Sequence, residues 1–287
     1  MCANNIFSPF SLCCGGRVLD YDRPAVLGIL NATPDSFYDG GRYDSDDRIV
    51  ARAMEMVQEG VDIIDIGVVS SRPGARLLSP DEEAARLAPV VALVRRRCPD
   101  TVISADTCFA LPARAAVEAG ADIINDISGG DYDDAMFQTV ADLGVPYILM
   151  HHQGTPATMQ TAPHYDNLLQ EVALYFSQRV NKLRLLGVRD IIVDPGFGFG
   201  KTLDHNYQLM ASLPQLRALF PHEPLLVALS RKSMIYKLLD SNPDGALAGT
   251  IALHAAALMK GAQLLRVHDV REARQTIDVI SKMLCYE

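Results

Sequence analysis

Eight short apolar runs, each followed by a stretch of helical periodicity, constrain this chain more than any other feature. The runs are Ala25–Leu30, Asp62–Gly67, Thr101–Asp106, Asp122–Ile127, Tyr147–His152, Asp190–Asp194, Leu225–Ser230 and Leu264–His268. Each is rich in Val, Ile or Leu and has the length of a strand buried on both faces. Between them, Asp46–Glu59 carries Ile49, Ala53, Met56 and Val57 near helical spacing. Ser79 stands before Pro80, Asp81 and Glu82, which is an N-cap, a first-turn proline and two first-turn acids. Asp166–Leu186 and Ala246–Lys260 are the longest helical stretches, and Glu272–Leu284 is the last. Alternating β and α elements imply a parallel sheet with right-handed crossovers, and eight such units close into a (β/α)8 barrel. A doubly wound open sheet is the rival, but the sequence after the first run lacks the dinucleotide fingerprint that fold carries there. The 287 residues suit one such domain, and no Pro/Gly linker divides them. Residues 1–24 read as an N-terminal extension, with Gly16–Pro24 as a short hairpin or plug at the N-terminal face. Residues 25–287 read as the barrel.

Charge narrows the partners. Asp plus Glu number 35 against 26 Lys plus Arg, a net charge of −9. Such a chain is unsuited to coating nucleic acid or an anionic membrane, though a small anion can bind where Arg and Lys converge. Apolar residues at 49% and charged ones at 21% place it with globular proteins, not disordered ones. Cys2, Cys13, Cys14, Cys98, Cys108 and Cys285 show no C-x-x-C spacing and read as reduced thiols of a cytoplasmic protein. The most apolar late stretch, Ile251–Leu265, is broken by His254, Lys260 and Gln263, so no membrane span is expected. The first fifteen residues lack a basic n-region, which makes a signal peptide the second choice.

In a barrel of this kind the active site lies at the C-terminal ends of the strands. Those ends carry Asn31, then Ser70, Ser71 and Arg72, then Asp106, Asn125, His151 and His152, Asp194, Ser230 with Arg231 and Lys232, and Arg266 with His268. Polar residues often mark only where a strand leaves the core. That reading serves Asn31 or Ser71. It serves Asp106, Asn125 and Asp194 less well, because they sit within or against apolar stretches, and buried carboxylates need hydrogen-bond partners. Asp106, Asn125 and Asp194 are acceptors suited to a flat heterocycle with amine and amide edges. Arg72, Arg231, Lys232, Arg266 and His268 suit phosphate. A ligand with a donor-rich ring at one end and an anion at the other is expected.

Two apparent motifs fail on inspection. Gly196 to Thr202, GFGFGKT, looks like a phosphate loop, but a Walker A motif needs Gly where Pro195 stands. It is read as a glycine-rich loop that lets backbone approach a ligand. His151 and His152 invite a zinc reading, but strand neighbours point to opposite faces and no second ligand pair follows, so a structural or pocket-lining role is expected.

From Val26 onward the chain resembles the dihydropteroate synthases. The motifs are GILNATPDSFYDGG at 28–41, SSRPGA at 70–75, ISADT at 103–107, ADIINDISGG at 121–130, LMHHQGTPATMQ at 149–160, DPGFGFGKTLDHN at 194–206, SRKS at 230–233 and RVHDV at 266–270. The resemblance implies a TIM barrel, usually a homodimer and a sulfonamide target, that joins hydroxymethyl-dihydropterin diphosphate to p-aminobenzoate with Mg2+. It implies that Asp106, Asn125, Met150, Asp194 and Lys232 hold the pterin, and that Asp106, Lys232 and Arg266 are catalytic. Asn31, Arg72, Arg266 and His268 would serve the diphosphate, with Asn31 on the metal. Thr33, Pro34, Asp35, Ser71, Arg72, Pro73, Phe199 and Ser230 would form the p-aminobenzoate site.

The chain departs from the usual Gly-Gly-Glu-Ser-Thr-Arg-Pro-Gly in its second loop, where Val68 and Val69 replace a Gly and a Glu, and Ser71 replaces Thr. Ala228 stands where a Gly usually precedes the SRK segment. Val69 is expected in a loop open to water. Two rival readings are a non-catalytic pterin-binding paralogue, which the changed loop supports, and a pterin-dependent methyltransferase. The latter usually lacks the SRK and TPDSF segments and works with a cobalamin domain, of which no D-x-H-x-x-G sign occurs here.

Overall fold

The computed structural model describes residues 7–32, 42–69, 78–154 and 162–286. A two-stranded antiparallel hairpin, β1 (Phe10–Cys14) and β2 (Arg17–Tyr21), comes first. The strands β3 (Ala25–Asn31), β4 (Ile63–Gly67), β5 (Val102–Asp106), β6 (Ile123–Asp126), β7 (Tyr147–Met150), β8 (Ile191–Asp194), β9 (Leu226–Val227) and β10 (Leu264–Val267) follow. They form one parallel sheet in the order β8-β7-β6-β5-β4-β3-β10-β9. A parallel bridge between Val193 and Leu225 joins the two edge strands and closes the ring. The eight apolar runs are thus the eight strands of a (β/α)8 barrel.

Helices α1 (Arg42–Gln58), α2 (Pro80–Arg97), α3 (Ala110–Glu118), α4 (Met136–Leu143) and α5 (Leu168–Leu185) follow successive strands from β3. Ser79 closes a capping box with Glu82 at the start of α2, with Pro80 in the first turn. Beyond β8 the unit is split into α6 (Leu203–Ala211) and α7 (Leu213–Leu219). Beyond β9 the single turn α8 (Ser233–Tyr236) precedes α9 (Leu247–Met259), and α10 (Val270–Leu284) ends the chain. Among the described residues no helix is long and apolar enough to cross a membrane.

The period of two along each strand sorts its residues between two cores. Outward residues such as Val26, Ile64, Ile103, Ile124, Leu149 and Leu265 join the large cluster beneath the helices. Inward residues Leu27, Ile63, Val102, Ile123, Ile148, Ile192, Leu226 and Leu264 form a separate apolar floor. The hairpin caps that floor with Leu12 and Cys14, supported by Phe10, Leu19 and Tyr21. Phe10 and Tyr21 are paired across the hairpin and stack with centroids 4.7 Å apart. The Cys13 N–H donates to Asp190 Oδ2 at 3.0 Å, and Gln263 Nε2 donates to the Ser8 carbonyl at 2.6 Å. The hairpin therefore starts at Phe10, earlier than Gly16, and its turn is Gly15-Gly16 in the left-handed region.

Strands begin one residue later than Asp62, Asp122 and Asp190 because those acids serve neighbouring backbone. Asp62 Oδ2 accepts from the Val26 N–H at 2.7 Å and Asp122 Oδ2 from the Ile103 N–H at 2.9 Å. The second loop also differs from expectation. Val68 is buried in the main core and half-buried Val69 packs against it, so Val69 is not a water-facing loop position.

Candidate active site

Two residues above the apolar floor, the same inward parity turns polar. It places Asp65 on β4, Ser104 on β5, Asn125 on β6, Met150 on β7, Asp194 on β8 and Arg266 on β10 in one layer. One step further up come Asn31, Gly67, Asp106, Ser230 and His268. The register carries this: Gly67 is opposite both Asn31 and Asp106, Asp106 is opposite Asn125, and Met150 is opposite Asp194. The floor excludes water from below, while the layer above it holds charge.

Arg266 is the hub. Its Nε donates to Asp65 Oδ2 at 2.7 Å and its Nη2 to Asp106 Oδ2 at 2.6 Å. Asn125 Nδ2 donates to the same Asp65 oxygen at 3.0 Å. Burial among these groups, opposed by the Arg266 charge, pushes the Asp106 carboxyl up to about 7. Asp194 Oδ1 accepts from the Gly196 N–H at 2.8 Å, and burial raises its carboxyl against the pull of Lys232. Arg266, expected at the anion end, thus binds Asp106, expected at the ring end, so one guanidinium bridges the two expected ends.

The glycine-rich loop after β8 carries the second cation. Lys232 Nζ donates to the Phe197 carbonyl at 2.6 Å and lies 4.7 Å from the centre of the Phe199 ring. Burial brings its ammonium down to about 8. Gly196 is obligatory: it has a φ of +70°, and a Cβ there would lie 1.8 Å from the His151 carbonyl oxygen. Lys201 braces the loop from behind, donating to the Gly196 carbonyl at 2.9 Å, the Phe199 carbonyl at 3.1 Å and His151 Nδ1 at 2.9 Å. Burial brings Lys201 to about 7 and, with the Lys201 charge, holds His151 neutral. His151 packs beside Tyr175, while His152 turns to Ser128 and Asp131.

Ser230 Oγ accepts from the His268 N–H at 3.2 Å and lies 3.1 Å from its Nδ1. Desolvation, then the neighbouring Arg266 charge, lowers the His268 imidazole to about 4, so it stays neutral at pH 7. Arg231 is not available to phosphate in the way expected. It has a φ of +55°, and its Nε and Nη2 grip both oxygens of Asp269 at 2.8 and 2.7 Å. Thr33, Pro34, Asp35, Ser71, Arg72 and Pro73 lie outside the described residues.

Sequence reasoning missed Asp65 and Lys201. Asp65 interrupts the apolar run IIDIG as Asp194 closes IIVD, so the signal that marked Asp194 was present there too. Lys201 was set aside with the false phosphate loop.

Residues 27–268 match the family model described as pterin binding enzyme. The dihydropteroate synthase of Escherichia coli (strain K12) is 43% identical over 94% of this chain and 95% of its own. The dihydropteroate synthase of Xanthomonas albilineans, solved with 4-aminobenzoic acid, superposes with a TM-score of 0.88 at 39% identity, covering 96% of this chain and 98% of that one. The same enzyme in complex with 7,8-dihydropteroate gives 0.84 at 38%, over 95% and 98%. A mouth of paired acids, an amide and two half-buried cations on a (β/α)8 barrel, matched along nearly the whole chain, makes this protein a member of the pterin-binding enzyme family, among the dihydropteroate synthases.

Proposed function

We propose that the chain condenses hydroxymethyl-dihydropterin diphosphate with p-aminobenzoate, releasing dihydropteroate and diphosphate. The observation that carries this reading is the polar layer itself, in which Asp106, Asn125 and Asp194 gather at one end of the barrel with Arg266 and Lys232 among them. A pterin offers adjacent ring N–H and amine donors, which one carboxylate can accept together. Asp194, Asn125 and Asp106 are read as its holders, with Met150 against the ring. Lys232, fixed by the Phe197 carbonyl, and Arg266 supply charge near the leaving group.

In the reaction the methylene C–O bond breaks and its electron pair leaves with diphosphate. The carbon is conjugated to the ring, so positive charge spreads into it, where Asp106 and Asp194 stabilise it. The p-aminobenzoate nitrogen, neutral at pH 7, then forms the C–N bond with its lone pair and loses one proton. A dissociative path of this kind needs no strong general base. Phe199 and Ser230, with the loop residues 33–35 and 71–73, are assigned to p-aminobenzoate; Asn31, Arg72, Arg266 and His268 are assigned to diphosphate.

Asn31 is a fitting partner for Mg2+. It offers a hard oxygen, and Gly67 keeps open the space beside it, since a Cβ there would lie 3.6 Å from Asp106 Cβ and 3.7 Å from Asn31 Oδ1. The ion, when bound, would neutralise charge developing on diphosphate. A homodimer, a cytoplasmic location and the division into a 1–24 extension and a 25–287 barrel domain belong to the same reading and rest on the resemblance and the sequence pattern. Incubating the protein with both substrates and Mg2+ tests the function. Dihydropteroate and diphosphate should form one to one. Binding of the pterin with no turnover would leave the non-catalytic paralogue instead.

A further inference from the structure

Asp65 makes no contribution to the sequence-derived site, yet it is fully enclosed in the barrel, with no exposed surface. Its Oδ2 accepts hydrogen bonds from Arg266 Nε and Asn125 Nδ2, and Arg266 Nη2 lies 2.6 Å away as an ion pair. Its Oδ1 has no hydrogen-bond partner among the described residues, and neither has Ser104 Oγ, which belongs to the residue paired with Asp65 across β4 and β5. An acid kept only to hold the fold together would have both oxygens satisfied, because a buried unpaired acceptor costs about 1–3 kcal/mol. This one spends one oxygen on aligning two ligand-facing side chains and leaves the other unpaired in the same layer.

The consequence concerns polarity. A carboxylate can only accept, so Asp65 dictates which end of the Asn125 amide faces it. With Nδ2 drawn to Asp65, the carbonyl oxygen of Asn125 is the end turned to a ligand. The same oxygen holds Nε and Nη2 of Arg266, which leaves Nη1 without a hydrogen bond to a described residue and free to meet an anion. We propose that Asp65 is a positioning residue that sets the donor–acceptor polarity of the heterocycle pocket, making Asn125 an acceptor and orienting Arg266, so that the site selects a ring with donors along that edge. This rests on the pterin reading above.

The polarity argument predicts its own rescue. In Asp65→Asn the new amide can face Asn125 either way round, and the charge on Arg266 loses a partner. In the swapped pair Asp65→Asn with Asn125→Asp, the amide at 65 donates to the acid at 125, which still offers an oxygen to the ligand, and the net charge is unchanged. Titration calorimetry with 6-hydroxymethyl-7,8-dihydropterin, without diphosphate, should show about 30-fold weaker binding to Asp65→Asn. Its KM for p-aminobenzoate should stay within about threefold of the parent, since that ring lies elsewhere. The swapped pair should recover at least about tenfold of the lost affinity. Binding to Asp65→Asn within threefold of the parent overturns the proposal, as does a folded swap no better than the single variant. If Asp65→Asn does not fold, the swap decides alone: affinity within about tenfold of the parent supports the proposal, and loss beyond about 100-fold overturns it. Neither variant folding would make Asp65 a purely structural group and also overturn it. Failure of the parent to bind the pterin would sink the functional reading itself, a result distinct from all of these.

Discussion

The barrel's interior holds two adjoining layers built on the same strands with opposite chemistry. The floor, from Leu27 to Leu264, is apolar throughout and sealed by the hairpin. The layer two residues above it carries Asp65, Ser104, Asn125, Asp194 and Arg266, with Asp106 over them. Both layers point inward, so neither parity nor strand assignment distinguishes them. What differs is height along the barrel. Below, burial releases water from apolar surface at about 25 cal/mol per Å² and stabilises the fold. Above, burial desolvates acids and cations and costs free energy unless each is paired. The floor thus carries the stability that lets the mouth keep charges ready for a ligand.

If that division holds, mutations in the two layers should part stability from binding. The largest effect is expected where the mouth itself is essential to the fold. Arg266→Ala leaves Asp65 and Asp106 facing each other without their shared cation, which should cost about 3–5 kcal/mol and abolish turnover. Denaturant unfolding measures it, and a loss under about 1 kcal/mol would show that the acids find other partners. Ile192→Ala removes a floor side chain and should cost about 2–5 kcal/mol, while the folded variant binds hydroxymethyl-dihydropterin within about threefold of the parent. Binding that fell in step with stability would erase the distinction between layers.

Asp194→Asn probes the reverse case. The Gly196 N–H can still reach the amide oxygen, so the fold should persist, but a donor then faces a ring donor. A penalty of about 2–4 kcal/mol, roughly 30- to 1000-fold in pterin affinity, is expected by calorimetry. An affinity within threefold of the parent would remove Asp194 from the ring site.

The smallest effect is one of pH. Burial lifts Asp106 to about 7, above an ordinary aspartate near 3.8. Between those values the folded protein holds a proton that the unfolded chain has lost, so this group's contribution to stability is full below 3.8 and falls as pH rises to about 7. Ring donors require the carboxylate, so pterin affinity should run the other way, dropping up to about tenfold per unit as pH falls below 7. Calorimetry from pH 5.5 to 8.5 should show this slope in the parent and its loss in Asp106→Asn. A parent profile that is flat across that range would place the Asp106 proton outside ligand binding.

The sequence alone determined a good deal. Eight β-rich runs of strand length separated by helical periodicity define a closed (β/α)8 ring, because a parallel strand must be covered on both faces. Acids set inside apolar runs marked Asp106 and Asp194, and the motifs carried the family. Local signals could not rank the acids of similar runs. In DIID, DIIN and DIIVD the first acid meets backbone at the barrel's lower end and the last polar group meets the mouth, as Asp62 and Asp122 show against Asp65 and Asn125. Which is which depends on where each strand begins, and the strand begins where its neighbour's N–H groups need an acceptor. Nor could local pattern give Arg231 to Asp269, or place Val69 against the core. The clasp of Asp65 on Arg266 spans 201 residues of chain. Only the pairing of the last strand with β3 puts β4 and β10 on either side of it, so only the tertiary structure decided that these two charges meet, and that each is paired instead of solvated.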